Sequence, residues 1–247
     1  TALASCGGLD WFARQGVGHV ASFQVDNPLA MPFDPRFLGQ HLRSRADFST
    51  QVIRKREPGE RVGVVVESGG RYRVVEYSDL PAAVAAERLP GGRLRFDAGS
   101  IAVHAFALEF LSRAATEGLL PLHLALKAVP FVDAAGTRVI PPTPNAIKFE
   151  RFIFDLMPFA ERVCVVEIDA ADGFAPLKNP PGAASDAIEH VQAALVAFAR
   201  RTLAAAGVKV ADGIPVELDP ASILDATDVP RYLQPGTTLT QPTVVGG

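Results

Sequence analysis

Asp26 is the residue in this 247-residue chain best placed to do chemistry. It closes an apolar, strand-like run, Val20-Ala21-Ser22-Phe23-Gln24-Val25, and is followed by Asn27 and Pro28. A strand that delivers a carboxylate and an amide into a proline-initiated loop sets a metal ligand at the mouth of an α/β sheet. Mg²⁺ takes hard oxygen ligands and keeps water and substrate phosphates in its shell, so one carboxylate here suits a cation bridging phosphate oxygens. The same residues equally suit a turn whose Asp and Asn side chains bond back to the main chain, and the local sequence favours neither reading. Lys178, in Phe174-Ala175-Pro176-Leu177-Lys178-Asn179, is the second candidate. Its ammonium could meet a phosphate as a compact point charge. Taken alone, a solvated surface lysine is the commoner outcome.

Weaker candidates surround these two. Glu76 follows Val74-Val75 near a strand end, where it could accept hydrogen bonds from sugar hydroxyls; unaided, the polar residue of a half-buried strand is the better reading. Gly99-Ser100 precedes another apolar run, and such a turn brings backbone close to a ligand or serves as an ordinary loop. Asn145 and Lys148 stand at the start of a predicted helix as candidate polar contacts, although Lys148 and Arg151 also fit its solvated outer face. The five histidines lack ligand spacing, which argues against a catalytic zinc, and His104 reads as a strand residue facing a polar neighbour or solvent. No Gly-x-Ser-x-Gly elbow, Gly-x-Gly-x-x-Gly turn or lysine-containing phosphate loop occurs, so serine hydrolase, dinucleotide and P-loop chemistries have no support.

These residues need a scaffold, and the composition provides for one. A chain of this length buries roughly 70 to 75% of its unfolded surface, enough for one large domain or one and a half. Apolar residues make up 48% and charged residues 21%, as in an ordered globular protein. A net charge of -3 without basic tracts argues against nucleic acid as a partner. Two distant cysteines fit a reducing, cytoplasmic setting, and no apolar run of membrane-spanning length or secretory signal stands out. The opening Thr1-Ala2-Leu3-Ala4 has the character of a helix interior and no initiator Met, as expected of a shortened chain.

Periodicity predicts helices over 9–15, 34–45, 80–88, 108–116, 146–156 and 186–203, and strands over 20–25, 48–54, 101–107 and 163–168. Asp34-Pro35 is a good cap and first-turn pair. Residues 61–67 and 71–77 flank Ser68-Gly69-Gly70 as a hairpin, and 131–133 with 137–140 form a smaller one. The tail from residue 212 is punctuated by Pro and Gly and gives weak strand signals. No linker divides the chain, and the pattern suits a layered α/β fold whose sheet is covered by helices.

Seven blocks in a single order carry a resemblance. They are Gln24-Val25-Asp26-Asn27-Pro28, Asp34-Pro35-Arg36-Phe37, Val62-Gly63-Val64-Val65, Val74-Val75-Glu76-Tyr77-Ser78, Gly99-Ser100-Ile101-Ala102, Asn145-Ala146-Ile147-Lys148-Phe149-Glu150 and Phe174-Ala175-Pro176-Leu177-Lys178-Asn179. Over residues 2–220 the chain resembles the UDP-sugar pyrophosphorylase family, most of all its UDP-N-acetylhexosamine branch. The resemblance implies a nucleotide-sugar α/β fold (GT-A-like, Rossmann-like), a mixed β-sheet flanked by helices and incomplete at the N-terminus. It makes 1–220 the sugar-binding, C-terminal portion of a nucleotidyltransferase domain and 221–247 a short tail, weakly structured or an edge element. It implies Mg²⁺, with UTP or UDP-sugar and a hexose 1-phosphate as partners and neither nucleic acid nor membrane. Asp26 matches the metal-binding Asp, and Lys178 matches a lysine close to the phosphates. Gly63 and Glu76 match sugar-site positions, with Asn27, Gly99, Ser100 and Lys148 as further substrate contacts. Ser100 stands where animal N-acetylhexosamine enzymes have Asn, which leaves the preferred hexose open. Family members carry a glycine-rich, UTP-gripping loop upstream; this chain starts after it, so weak or no activity is expected of the chain alone. A non-catalytic nucleotide-sugar or sugar-phosphate binding module and a glycosyltransferase are the competing expectations.

Overall fold

The computed structural model describes residues 2–247. In chain order its strands are β1 (His19–Ser22), β2 (Phe48–Arg54), β3 (Val64–Ser68), β4 (Arg71–Val75), β5 (Ala98–Ala107), β6 (His123–Lys127), β7 (Phe131–Val132), β8 (Arg138–Val139), β9 (Ala146–Glu150), β10 (Val163–Glu167), β11 (Lys209–Val210), β12 (Val216–Leu218), β13 (Thr238–Leu239) and β14 (Thr243–Val245). The helices are α1 (Ala2–Ser5), α2 (Gly8–Arg14), α3 (Pro35–Arg43), α4 (Ala82–Ala85), α5 (Leu108–Thr116), α6 (Ala170–Gly173) and α7 (Ile188–Ala205), with 3₁₀ turns at Ile153–Phe159 and Val229–Arg231.

β2 is the strand from which the sheet is organised. Every residue from Phe48 to Ile53 is buried, as expected of a strand covered on both faces. It pairs in parallel with β10 and antiparallel with β5, and the six-stranded sheet runs β10-β2-β5-β3-β4 with β1 added to the edge of β5. The period of two sorts β5 between the layers. Ile101, Val103 and Ala105 face Phe37 of α3 and the partly buried Ile168 and Phe174. Phe106 points the other way, into a core with Phe48, Val52, Phe110 of α5, and Leu156 and Met157 of the 3₁₀ turn. The sheet is therefore open, mixed and covered on both sides. α3 begins where expected: Asp34 caps it by accepting from the Arg36 N–H at 2.9 Å, with Pro35 in the first turn.

The predicted helix over 146–156 is corrected. Ala146–Glu150 is β9, paired antiparallel with β6, and the chain then enters the 3₁₀ turn. The two strands make a ribbon outside the main sheet, with Leu124, Leu126, Ile147 and Phe149 exposed along one side. The strand expected over 20–25 is also shorter, ending at Ser22, and Val25 is 95% exposed. Residues 221–247 fold back on α7: β14 pairs with β12, β13 with β11, and Ile223, Val229 and Val245 join Ala199 and Leu203 in a separate core. No helix among the described residues is long and apolar enough to cross a membrane.

Two buried histidines tie the sheet together. His104 of β5 is fully buried, with Nδ1 3.0 Å from Thr50 Oγ1, and burial pushes its imidazole down to about 3. His41 of α3, equally buried, sits 2.7 Å from Ser49 Oγ and 2.9 Å from His19 Nδ1. Burial first, then His19, pushes it down to about 4 against the opposing pull of Asp47. Both rings are neutral in the folded protein at pH 5, whereas an unfolded imidazole, of pKa about 6.5, is largely protonated there. The unfolded state thus binds more protons as pH falls, and stability declines from about pH 6.5 toward the folded values near 3 and 4. Urea denaturation at pH 7.5 and pH 5 is expected to show a loss on the order of 3 kcal/mol, most of it absent in a His41→Phe, His104→Phe double variant measured against its own pH 7.5 value.

Candidate active site

The site begins with a gap in strand pairing. β2 lines one edge of β5 along its length. On the other edge β1 pairs from Ala107 to His104 and stops, while β3 approaches from the far end and pairs only at Gly99. Among the described residues no strand pairs with 101–103 on that edge. Within this stretch Ala102 adopts φ +55°, a left-handed conformation rare without glycine, and the β2–β5 register shifts between Thr50 and Val52. The chain leaving β1 and the chain entering β3 therefore flank this unpaired stretch of β5 from its two ends.

Asp26 lies on the first of these chains, in a turn closed by the Asn27 N–H donating to Gln24 O at 3.2 Å. Asn27 is buried and both ends of its amide are engaged across the molecule. Its Nδ2 donates to Gly173 O, and its Oδ1 accepts from the Ala175 N–H, each at 2.9 Å. The Leu177 N–H then donates to Asp26 O at 2.7 Å. Lys178 follows, its own N–H on Asp186 O at 2.9 Å, and its ammonium meets Asp26 Oδ2 in a hydrogen-bonded ion pair. Two residues 152 positions apart in sequence thus share one corner. Oδ1 of Asp26 is buried and has no hydrogen-bond partner among the described residues. An anionic oxygen left in that condition is costly, and it suits a hard cation. No group of three or more His, Cys, Asp or Glu among the described residues could hold a metal, so Asp26 would supply one protein ligand.

The second chain brings the sugar-side candidates together. Gly63 O accepts from the Ser100 N–H at 2.8 Å. A Cβ on Gly63 would lie 2.9 Å from Val74 Cγ1 and 3.1 Å from Glu76 Oε1, so the absent side chain is what allows Glu76 to lie against this backbone. Gly99 is comparably tight, with Val62, the Ile53 carbonyl and Lys55 within 3.2 Å of where a Cβ would stand. Burial raises the Glu76 carboxyl above the ordinary range, Asp79 and Asp155 add to this, and His123 opposes them.

Not every expected contact belongs here. Asn27, expected as a substrate ligand, has its amide engaged on 173–175 and acts as a clamp. Lys148 is on β9 of the ribbon, exposed, with its ammonium 2.6 Å from Glu150 Oε1, and the structure does not join it to Asp26 or Glu76. His123 and Asp155, 2.7 Å apart, both act on the Glu76 carboxyl and leave no mark in the sequence, since nothing in a separation of 32 residues makes them neighbours. Two apolar hollows elsewhere, of about 410 and 1010 Å³, include none of Asp26, Lys178, Gly63, Glu76 or Ser100.

Known proteins resemble this chain in sequence and in fold. Residues 1–207 match the family model for UTP–glucose-1-phosphate uridylyltransferase. The UDP-N-acetylhexosamine pyrophosphorylase-like protein 1 of Xenopus tropicalis is 36% identical over 90% of this chain and 46% of its own length. The UDP-N-acetylglucosamine pyrophosphorylase of Saccharomyces cerevisiae is 34% identical over 84% of this chain and 44% of its own. This chain thus spans less than half of either. A solved structure from Entamoeba histolytica, carrying a provisional UDP-N-acetylglucosamine pyrophosphorylase designation, matches with a TM-score of 0.88 at 29% identity, over 98% of this chain and 60% of that one. The Trypanosoma brucei uridine diphosphate N-acetylglucosamine pyrophosphorylase matches at 0.74 and 26% identity, over 90% of this chain and 46% of that one. The open mixed sheet is the nucleotide-sugar, Rossmann-like fold of those structures. With the family model matching most of the chain and the sheet superposing on solved members, this chain belongs to the UDP-sugar pyrophosphorylase family and is related to its UDP-N-acetylhexosamine and UDP-N-acetylglucosamine members.

Proposed function

We propose that the protein carrying this chain is a uridylyltransferase that forms UDP-sugar and pyrophosphate from UTP and a hexose 1-phosphate, with N-acetylglucosamine 1-phosphate as the preferred sugar. The observation that carries the proposal is the Asp26–Lys178 pair with its unpartnered Asp26 oxygen. The names of the relatives support the N-acetylated sugar.

In this reading an oxygen of the sugar phosphate attacks the α-phosphorus of UTP, the bond to the β-phosphate oxygen breaks, and pyrophosphate leaves. Asp26 would hold Mg²⁺, which when bound neutralises charge on the phosphoryl oxygens. Lys178 offers its ammonium to the same oxygens, released from Asp26 as they arrive. Glu76 would accept from sugar hydroxyls, with the Gly63 backbone against it and Ser100 bonded to that backbone. No covalent enzyme intermediate is needed, because positioning and electrostatics carry such transfers.

A second reading draws on the same corner, since an Asp26–Lys178 pair could also hold a sugar phosphate without reaction. It makes the protein a nucleotide-sugar or sugar-phosphate binding module without turnover. Assay of pyrophosphate release from UTP with a panel of hexose 1-phosphates, with and without Mg²⁺, separates the two. Mg²⁺-dependent release, fastest with N-acetylglucosamine 1-phosphate, is expected. Calorimetric binding of UDP-sugar with no release from any hexose phosphate would establish the binding module instead.

A further inference from the structure

Lys178 is fastened at its main chain as well as at its ammonium. Just before it, the Leu177 N–H donates to Asp26 O at 2.7 Å. The N–H groups of Lys178 and Asn179 then both donate to Asp186 O, at 2.9 and 3.0 Å. Asn179 Nδ2 adds a bond to Ser185 O at 2.9 Å. Residues 178–186 thus form a loop closed on itself, and at its tip the Ala183 N–H donates to Pro180 O at 3.2 Å.

The carbonyl that closes the loop belongs to a residue in an uncommon conformation. Asp186 has φ +52°, in the left-handed region. Asp and Asn tolerate that region better than most side chains, glycine enters it freely, and a β-branched residue is a genuine outlier there. Ala187 follows, fully buried, and α7 begins at Ile188. α7 is itself seated on the tail through Ala199 and Leu203. With the chain fixed on that side, the left-handed turn at 186 aims the carbonyl back at 178 and 179. The Asp186 carboxylate is engaged separately, accepting from Ser185 Oγ at 3.4 Å.

We infer that Asp186 is a positioning residue for Lys178: its carbonyl, aimed by a left-handed backbone, fixes where the lysine stands and so how well the ammonium meets the phosphates. The inference rests on the proposed role of Lys178 and goes beyond it by naming what places that lysine. The two N–H groups that share Asp186 O belong to the peptides on either side of the Lys178 α-carbon. They hold the root of the side chain, while its flexible four-carbon stem stays free to swing from Asp26 to an arriving phosphate. A charged donor that changes partner during a reaction needs its origin set in advance.

The test is a set of substitutions at 186 in the protein carrying this chain, each made with and without Lys178→Met. Asp186→Val disfavours the left-handed backbone. It is expected to lower kcat about tenfold, less than the roughly hundredfold that a misplacement of about 1 Å can cost, with little change in KM for hexose 1-phosphate. Asp186→Asn and Asp186→Gly, which adopt that backbone readily, are expected to rescue most of the loss. In the Lys178→Met background Asp186→Val should cost no more than about twofold further, because the group it misplaces is gone. Amide hydrogen exchange at Lys178 and Asn179, followed by NMR, should quicken in Asp186→Val and stay near wild type in Asp186→Asn. If the valine variant does not fold, Asp186→Ala replaces it, with smaller effects of the same kind. An equal kcat loss in both backgrounds marks a purely structural part and overturns the inference. A loss in Asp186→Asn as large as in Asp186→Val also overturns it, by assigning the effect to the carboxylate. So does unchanged exchange at 178 and 179 in Asp186→Val, whatever the activity. Quickened exchange in a protein without turnover in any form overturns the functional reading of Lys178 instead.

Discussion

Asp26→Asn is expected to lower the rate of pyrophosphate release by about 10³-fold while leaving the denaturation midpoint almost unmoved. The amide has the shape of the carboxylate and none of its charge, so it is a weak ligand for Mg²⁺ and makes no ion pair with Lys178. The size follows from what the carboxylate is asked to do. Placing a cation, or a charged donor, where charge develops in the transition state contributes several kcal/mol in a preorganised site. The small effect on stability follows from exposure. Lys178 is 47% exposed, and a pair with that much solvent contributes at most about 1 kcal/mol to folding. A freed Lys178 simply hydrates. Lys178→Met tests the other half of the pair, with a loss of about 10²-fold expected in kcat and little change in KM. Near-normal, Mg²⁺-dependent turnover in Asp26→Asn would remove the carboxylate from the mechanism.

How far this site could be read without coordinates depends on whether its parts are local. The Asp34-Pro35 cap, the Ser68-Gly69-Gly70 hairpin and the β-branched run of β2 act through neighbours in the chain, and each folds as its residues dictate. The segment 146–156 does not. Its apolar residues fit a helical face, yet Ile147 and Phe149 against Ala146, Lys148 and Glu150 also alternate with the period of a strand. The deciding fact is β6, a partner some twenty residues upstream in the chain, and pairing with a distant strand overrides local preference. The end of β1 at Ser22 has a similar cause. The partner strand distorts at Ala102, and an alanine gives no warning of a left-handed backbone. Asp26 and Lys178 were recognisable as candidates, but only the fold brings them together. The tail looked weak because Pro and Gly interrupt it, and its Ile223, Val229 and Val245 become a core only against α7.

Asn27→Ala is expected to do what Asp26→Asn does not, lowering stability and turnover together. The side chain bridges the loop that carries Asp26 and the segment 173–175 that leads to Lys178, through two buried hydrogen bonds of 2.9 Å. Deleting it strands the Gly173 carbonyl and the Ala175 N–H away from water, at about 1 to 3 kcal/mol each, so a loss of roughly 2 to 5 kcal/mol in urea denaturation is expected. The functional loss comes from geometry. Without the amide, the two segments are held near each other by the Leu177 N–H to Asp26 O contact and by the ion pair itself. A displacement of about 1 Å between groups that must meet the same phosphate costs about 10²-fold in rate. Asn27→Asp separates the two bonds: the carboxylate still accepts from Ala175 but faces the Gly173 carbonyl with charge and no donor, so it should be no better than alanine in stability. Full stability in Asn27→Ala with only KM for the sugar phosphate raised would mean that the amide touches substrate, and the clamp would have to be given up.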